Sequence, residues 1–112
     1  MFYTTNSASE LSIFDLLKLR EQKASYLLLD VRENSERLIS TFPNSLHIPM
    51  HQIPSRWQDL PRDQQIIVFC HYGTRSRIVV EFLKQQGLEN VFNLSEGIDA
   101  WARDIEPEME RY

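Results

Sequence analysis

Ile66-Ile67-Val68-Phe69-Cys70-His71-Tyr72-Gly73-Thr74-Arg75-Ser76-Arg77 is the stretch that decides how this 112-residue chain is read. Ile66 to Phe69 are β-branched or aromatic, the composition of a buried strand. The run ends on Cys70, the only cysteine in the sequence. A short polar loop with Gly73 follows, then two arginines, then apolar residues at helical spacing. Strand, loop and helix in that order place a thiol at the carboxyl end of a strand, the edge where open α/β sheets bind ligands. The first amides of the following helix have no intrahelical partner and point into the loop. A thiolate there is stabilised by those amides and by nearby Arg75 and Arg77. Cys70 is therefore the candidate nucleophile.

Upstream, Arg62-Asp63-Gln64-Gln65 is a polar connection into this strand. Tyr26-Leu27-Leu28-Leu29 is a continuous apolar run, predicted to be a strand buried on both faces. It ends in Asp30-Val31-Arg32, at the same sheet edge as Cys70 if the strands are parallel. Ser7-Ala8-Ser9-Glu10 fits a capping box. The helix it would open carries Leu11, Phe14 and Leu17, flanked by Ile13 and Leu16, and fades after Leu19. Glu33 to Ile39 predicts a short helix capped by Asn34 or Ser35. Pro43-Asn44 marks a turn, and Leu46-His47-Ile48 a short strand stopped by Pro49. Pro54-Ser55-Arg56-Trp57 predicts another short helix, ending near Pro61.

Downstream, Ile78, Val79, Phe82 and Leu83 share a helical face, with Gly87 as the C-terminal cap. Val91-Phe92-Asn93-Leu94 reads as a last buried strand, and Gly97 to Arg103 as a final helical turn or two carrying Trp101. Strands alternate with helices, so the class is α/β with a mainly parallel central sheet flanked by helices. One domain accounts for residues 1–112, with a core of about 10–103. Residues 104–112 are acidic and polar and are expected to be a frayed or loosely docked tail.

Hydrophobic residues make up 42% of the chain and charged residues 25%, the proportions of a globular protein. A net charge of −4 leaves no basic excess to neutralise phosphates, which argues against a nucleic-acid partner. No apolar run approaches a membrane span, and Met1 to Ser12 lack the regions of a signal peptide. A lone cysteine excludes an internal disulfide, a CxxC pair and a four-cysteine zinc site, and a free thiol suits the cytoplasm. His47 and His51 have the spacing of helical metal ligands, but Pro49 lies between them, so no metal is expected.

Four features in order resemble the single-domain form of the rhodanese (sulfurtransferase) family. Asp30-Val31-Arg32-Glu33 is similar to its first-strand motif and His47-Ile48-Pro49 to its second. Cys70 to Ser76 resembles its active-site loop, and Glu96-Gly97-Ile98-Asp99-Ala100-Trp101 its closing motif. The Ile-Asp-Ala-Trp run and the Arg111-Tyr112 end also look like rhodanese domains fused to some sulfur-carrier-activating enzymes. Two departures stand out. Thr41 to Ser45 replaces the family's usual His- and Gly-containing turn, and Glu96 replaces the first glycine of the closing Gly-Gly.

The resemblance implies double displacement through Cys70. The thiolate takes the outer sulfur of thiosulfate or a persulfide donor, and the Cys70 persulfide passes it to cyanide, a thiol or a sulfur-carrier protein. No cofactor is implied beyond that covalent persulfide, and with no second cysteine the acceptor must come from outside. His71, Tyr72, Gly73, Thr74 and Arg75 form the substrate-binding loop, with Asp30, Arg32, Ser76 and Gly97 in support. The loop holds four residues between Cys70 and Arg75, whereas the related Cdc25-like phosphatases and arsenate reductases hold five. The tighter loop fits a sulfur atom rather than phosphate.

Arg75 is read either as a fork for a sulfonate or as an ion-pair bridge from the loop to Asp30. His71 and Tyr72 are expected at the pocket mouth, and Tyr72 also fits a solvated loop tip. Gly73 either turns amides inward or is a plain turn glycine. Arg77 reads as surface charge. Glu96 is expected to oppose an anionic donor, and the alternative to an enzyme is a catalytically weak binding or regulatory module.

Overall fold

The computed structural model describes residues 9–112. Five strands form one sheet in the order β1-β5-β4-β2-β3, and every pairing is parallel. They are β1 (Glu10–Leu11), β2 (Tyr26–Asp30), β3 (Leu46–His47), β4 (Gln65–Phe69) and β5 (Val91–Leu94). The principal helices are α1 (Ile13–Glu21), α2 (Asn34–Arg37), α3 (Ile53–Arg56), α4 (Thr74–Gln85) and α5 (Gly97–Asp104). Because all strands run the same way, their carboxyl ends share one edge, which carries Asp30 to Arg32, Cys70 and the entry to α5.

Side chains of β4 alternate between two cores, as a strand period of two requires. Ile66 and Val68, followed by Cys70, face a layer made by α4, α3 and Ile48. Ile67 and Phe69 face the other layer, where α1 and α5 contribute Ile13, Leu16, Ile98 and Trp101. Trp101 is almost fully buried, and at roughly 200 Å² for such a ring this removes a large apolar surface from water.

The structure differs from the sequence expectation at several places. Glu10–Leu11 is an edge strand rather than the start of a helix, because the Asn93 and Ser95 amides donate to the Ser9 and Leu11 carbonyls. The capping box forms instead between Ser12 and Asp15, while Ser7 lies outside the described residues. Phe14 is exposed and the core is met by Ile13 and Leu16. On α4, Ile78 is exposed and Val80 is buried in its place. The first half of β2 is only partly covered, since β3 pairs with Leu29 and Asp30 alone.

The Thr41 to Ser45 turn is well tied without the family's glycine. Asn44 takes the left-handed conformation at φ 64°, which Asn tolerates better than most residues. Ser45 Oγ donates to the Phe42 carbonyl at 2.8 Å. Phe42 itself packs edge-on against Phe69 and Trp101.

Of the two expectations for residues 104–112, a frayed or a loosely docked tail, the structure shows docking. Ile105 and Met109 pack on the α1/α5 core, and Glu106 accepts from Trp101 Nε1 at 2.7 Å and from Arg20 at 3.3 Å. Among the described residues, no helix is long and apolar enough to cross a membrane.

Candidate active site

Cys70 is 1% exposed and lies where β4 gives way to the loop before α4. Two backbone amides donate to its sulfur, Gly73 N at 3.1 Å and Ser76 N at 3.3 Å, and Ser76 Oγ is also 3.3 Å away. Ser76 N belongs to the first turn of α4, where amides lack carbonyl partners, so the helix start lends its dipole to the sulfur.

The loop can curl this tightly because of two glycines. Gly73 has φ 101°, and a Cβ there would strike the Ser95 carbonyl. Gly97 has φ 71°, and a Cβ there would strike the His71 and Cys70 carbonyls. Those two carbonyls accept from the first amides of α5, Ile98 N at 3.0 Å and Asp99 N at 3.1 Å. With its carbonyls turned outward onto α5, the loop is left with amides facing the sulfur. Gly73 is thus an inward-turning position and not a plain turn glycine.

Asn93 anchors the loop from below. It is fully buried on β5, accepts a short hydrogen bond from Ser76 Oγ, and donates to the Gly73 carbonyl at 3.2 Å and to Glu10 at 3.0 Å. This residue escaped the sequence reading, although a polar side chain inside Val-Phe-Asn-Leu was a usable signal, since buried polar groups require partners.

Asp30 and Arg32 form a buried pair, with Arg32 Nε and Nη2 each donating at 2.9 Å. Arg32 Nη2 also donates to the Ser40 carbonyl, and Arg37 and Thr41 both reach Asp30. His47 Nε2 sits 2.7 Å from the Arg32 carbonyl. This network joins the β2 and β3 ends and frames the site without touching Cys70 by hydrogen bond.

Arg75 does not bridge to Asp30. Its guanidinium grips Glu36 on α2 with two hydrogen bonds of 2.7 and 2.9 Å. Asp30 is already occupied by Arg32 and Arg37, which leaves Glu36 as the acceptor within reach. The Arg75 fork holds the Glu36 carboxyl down at about 2, against the opposing effect of burial. No sequence pattern distinguished Glu36 from its neighbour Glu33.

Thr74 is exposed and opens α4, and Tyr72 is a solvated tip with 60% exposure. His71 is instead covered, lying between the rings of Tyr72 and Tyr112. Burial pulls its pKa below 6.5, partly offset by Asp99, whose Oδ1 is 3.9 Å from Nε2. Arg77 is a peripheral charge paired with Glu10. Glu96 points to solvent and reaches Arg103 at 3.5 Å, so it is not a carboxylate set against the sulfur.

The chain belongs to the rhodanese-like domain family, which matches residues 14–104. A protein of Allochromatium vinosum named sulfurtransferase is 42% identical over 77 residues, covering 69% of this chain and 72% of that protein. The adenylyltransferase and sulfurtransferase uba4 of Ogataea parapolymorpha is 34% identical over 96 residues, or 85% of this chain and 24% of its own length. A crystal structure of a rhodanese-related protein from Thermoplasma volcanium matches with a TM-score of 0.79 at 35% identity, covering 88% of this chain and 94% of that one.

Proposed function

We propose that this protein is a sulfurtransferase that carries sulfane sulfur on Cys70. The observation that supports this most directly is the pair of amides, Gly73 N and Ser76 N, both donating to Sγ. Such a cradle stabilises sulfur as an anion, which is the nucleophilic form, and it does so without a general base. The sulfurtransferase names of the Allochromatium and Ogataea relatives support the same reading.

In the first half-reaction Cys70 attacks the outer sulfur of thiosulfate or a persulfide, and sulfite or a thiol leaves. The added sulfur stays beside the start of α4, whose free amides prefer a negative charge. In the second half-reaction an external thiol, cyanide or a sulfur-carrier protein takes that sulfur and restores Cys70. No cofactor enters either step.

Intact mass after incubation with a donor tests the reading. The chain is expected to gain about 32 Da for one sulfur, and Cys70→Ser to gain nothing. A wild-type chain that never gains this mass with any donor overturns it.

A further inference from the structure

Three rings stand in a stack centred on His71, the residue after Cys70. His71 lies between Tyr72 and Tyr112, with centroids 3.8 Å away on each side and interplanar angles of 28° and 9°. Two anchors fix the Tyr112 side of the stack. Arg111 donates to Asp99 at 3.0 and 3.2 Å. The Tyr112 hydroxyl donates to Glu36 at 2.7 Å and accepts from Arg32 Nη1 at 2.9 Å.

The wall these rings make is uncharged at neutral pH. Burial keeps His71 below 6.5, and burial together with Glu36 pushes Tyr112 up to about 12. The neighbouring cations are committed, Arg75 to Glu36, and Arg32 and Arg37 to Asp30. A small dianion must give up hydration to approach such a surface and, among the described residues beside the stack, meets no uncommitted cationic fork in return. An organic group gains contact with a flat, neutral aromatic face.

We propose, resting on the sulfurtransferase reading, that Tyr112 is a specificity-determining residue whose stack on His71 selects an organic persulfide over thiosulfate as donor. In that step Sγ of Cys70 bonds to the outer sulfur of R–S–SH while the donor's own S–S bond breaks. The electron pair of the broken bond leaves on the R-bearing sulfur as a thiolate. The Cys70 thiolate and R–S–SH thus become Cys70–S–SH and R–S⁻, with no net oxidation. The R group lies along the ring stack.

Sulfur loading of the full chain, followed by intact mass across a range of donor concentrations, tests this with benzyl persulfide and thiosulfate as probes. The wild-type second-order rate constant for benzyl persulfide is expected to exceed that for thiosulfate by about tenfold. Tyr112→Ala is expected to cut that ratio about fivefold, the scale of one aromatic stack. The loss should come through a higher half-saturating persulfide concentration and not a lower maximal rate. Tyr112→Phe keeps the ring and should lower the ratio less. Equal wild-type rates for the two donors, or a Tyr112→Ala loss shared in proportion by both, overturns the assignment. Absence of loading from either donor overturns the transfer reading itself, and this inference with it.

Discussion

Tyr112 lies flat on His71, with ring centroids 3.8 Å apart and planes 9° apart. A residue of the polar tail therefore rests on the chain neighbour of the only cysteine. Ring overlap at that distance excludes water from one face of the imidazole, and Tyr72 covers the other.

Removing the Tyr112 ring should be visible at His71. The folded-state pKa of His71 is held down by burial, so the imidazole is expected to titrate below 6.5 in the wild type and to move up toward 6.5 in Tyr112→Ala. NMR of the ring protons against pH reads this directly. The linkage has a defined sign. The unfolded chain binds this proton more readily, so the stability lost to His71 protonation appears as pH falls below about 6.5.

Glu36 should give a second, more acidic transition. Its carboxyl is lowered from 4.5 to about 2 by the Arg75 fork. A depressed carboxyl contributes stability that is complete above its unfolded value and is lost as pH falls toward the folded one. Wild-type and Glu36→Gln urea midpoints should therefore differ by a constant amount above pH 4.5 and converge toward pH 2. A gap that persists unchanged into acid would show that the ion pair is not its source.

Gly97 and Gly87 offer an internal contrast. Both have positive φ, 71° and 99°, but a Cβ on Gly97 meets the His71 and Cys70 carbonyls whereas one on Gly87 meets nothing within 4 Å. Gly87→Ala is expected to cost about 1 kcal/mol for its backbone conformation alone. Gly97→Ala should cost about 2–4 kcal/mol and slow sulfur loading, because the loop must move off α5. Denaturant midpoints and loading rates compare the two. Equal penalties would mean that the α5–loop contact does not set the loop.

Asn93→Ala removes the partner of a buried hydroxyl and of the Gly73 carbonyl. The expected loss is about 1–3 kcal/mol of stability, together with slower loading as the Gly73 and Ser76 amides lose their common brace. Ser76→Ala keeps its amide on the sulfur but loses the hydroxyl, so it should be the milder of the two by both measures.

The chain order of strands and helices could be read from apolar runs and breakers, and β2, β4 and β5 lie where those runs stand. The errors cluster where periodicity carries little information. A two-residue edge strand such as β1 has no period at all, and Glu10–Leu11 is held by backbone bonds to β5. On α4, Ile78 and Val80 are both apolar, and which one faces inward depends on how the helix is seated on the sheet.

Ionic partners were the least legible part of the site. Arg75 had several carboxylates available in sequence, and its choice of Glu36 follows from the prior occupation of Asp30 by Arg32 and Arg37. The docking of the tail was hard to read for a related reason. Its acidic, polar composition resembles solvated chain, yet Ile105, Met109 and Tyr112 supply three contacts spaced along it.

The features legible from residue order alone are local. A strand ending on Cys70, a four-residue loop before Arg75 and a glycine where amides turn inward all lie within one short stretch, so near-neighbour sterics suffice to specify them. The remaining features are long-range, because they depend on which surfaces meet in the folded chain. The seating of Gly97 against the Cys70 loop, the Asn93 brace, the Arg75–Glu36 pair and the Tyr112 stack each join distant parts of the chain. The parallel sheet brings those parts to one edge, and burial there leaves each polar group few partners to choose from.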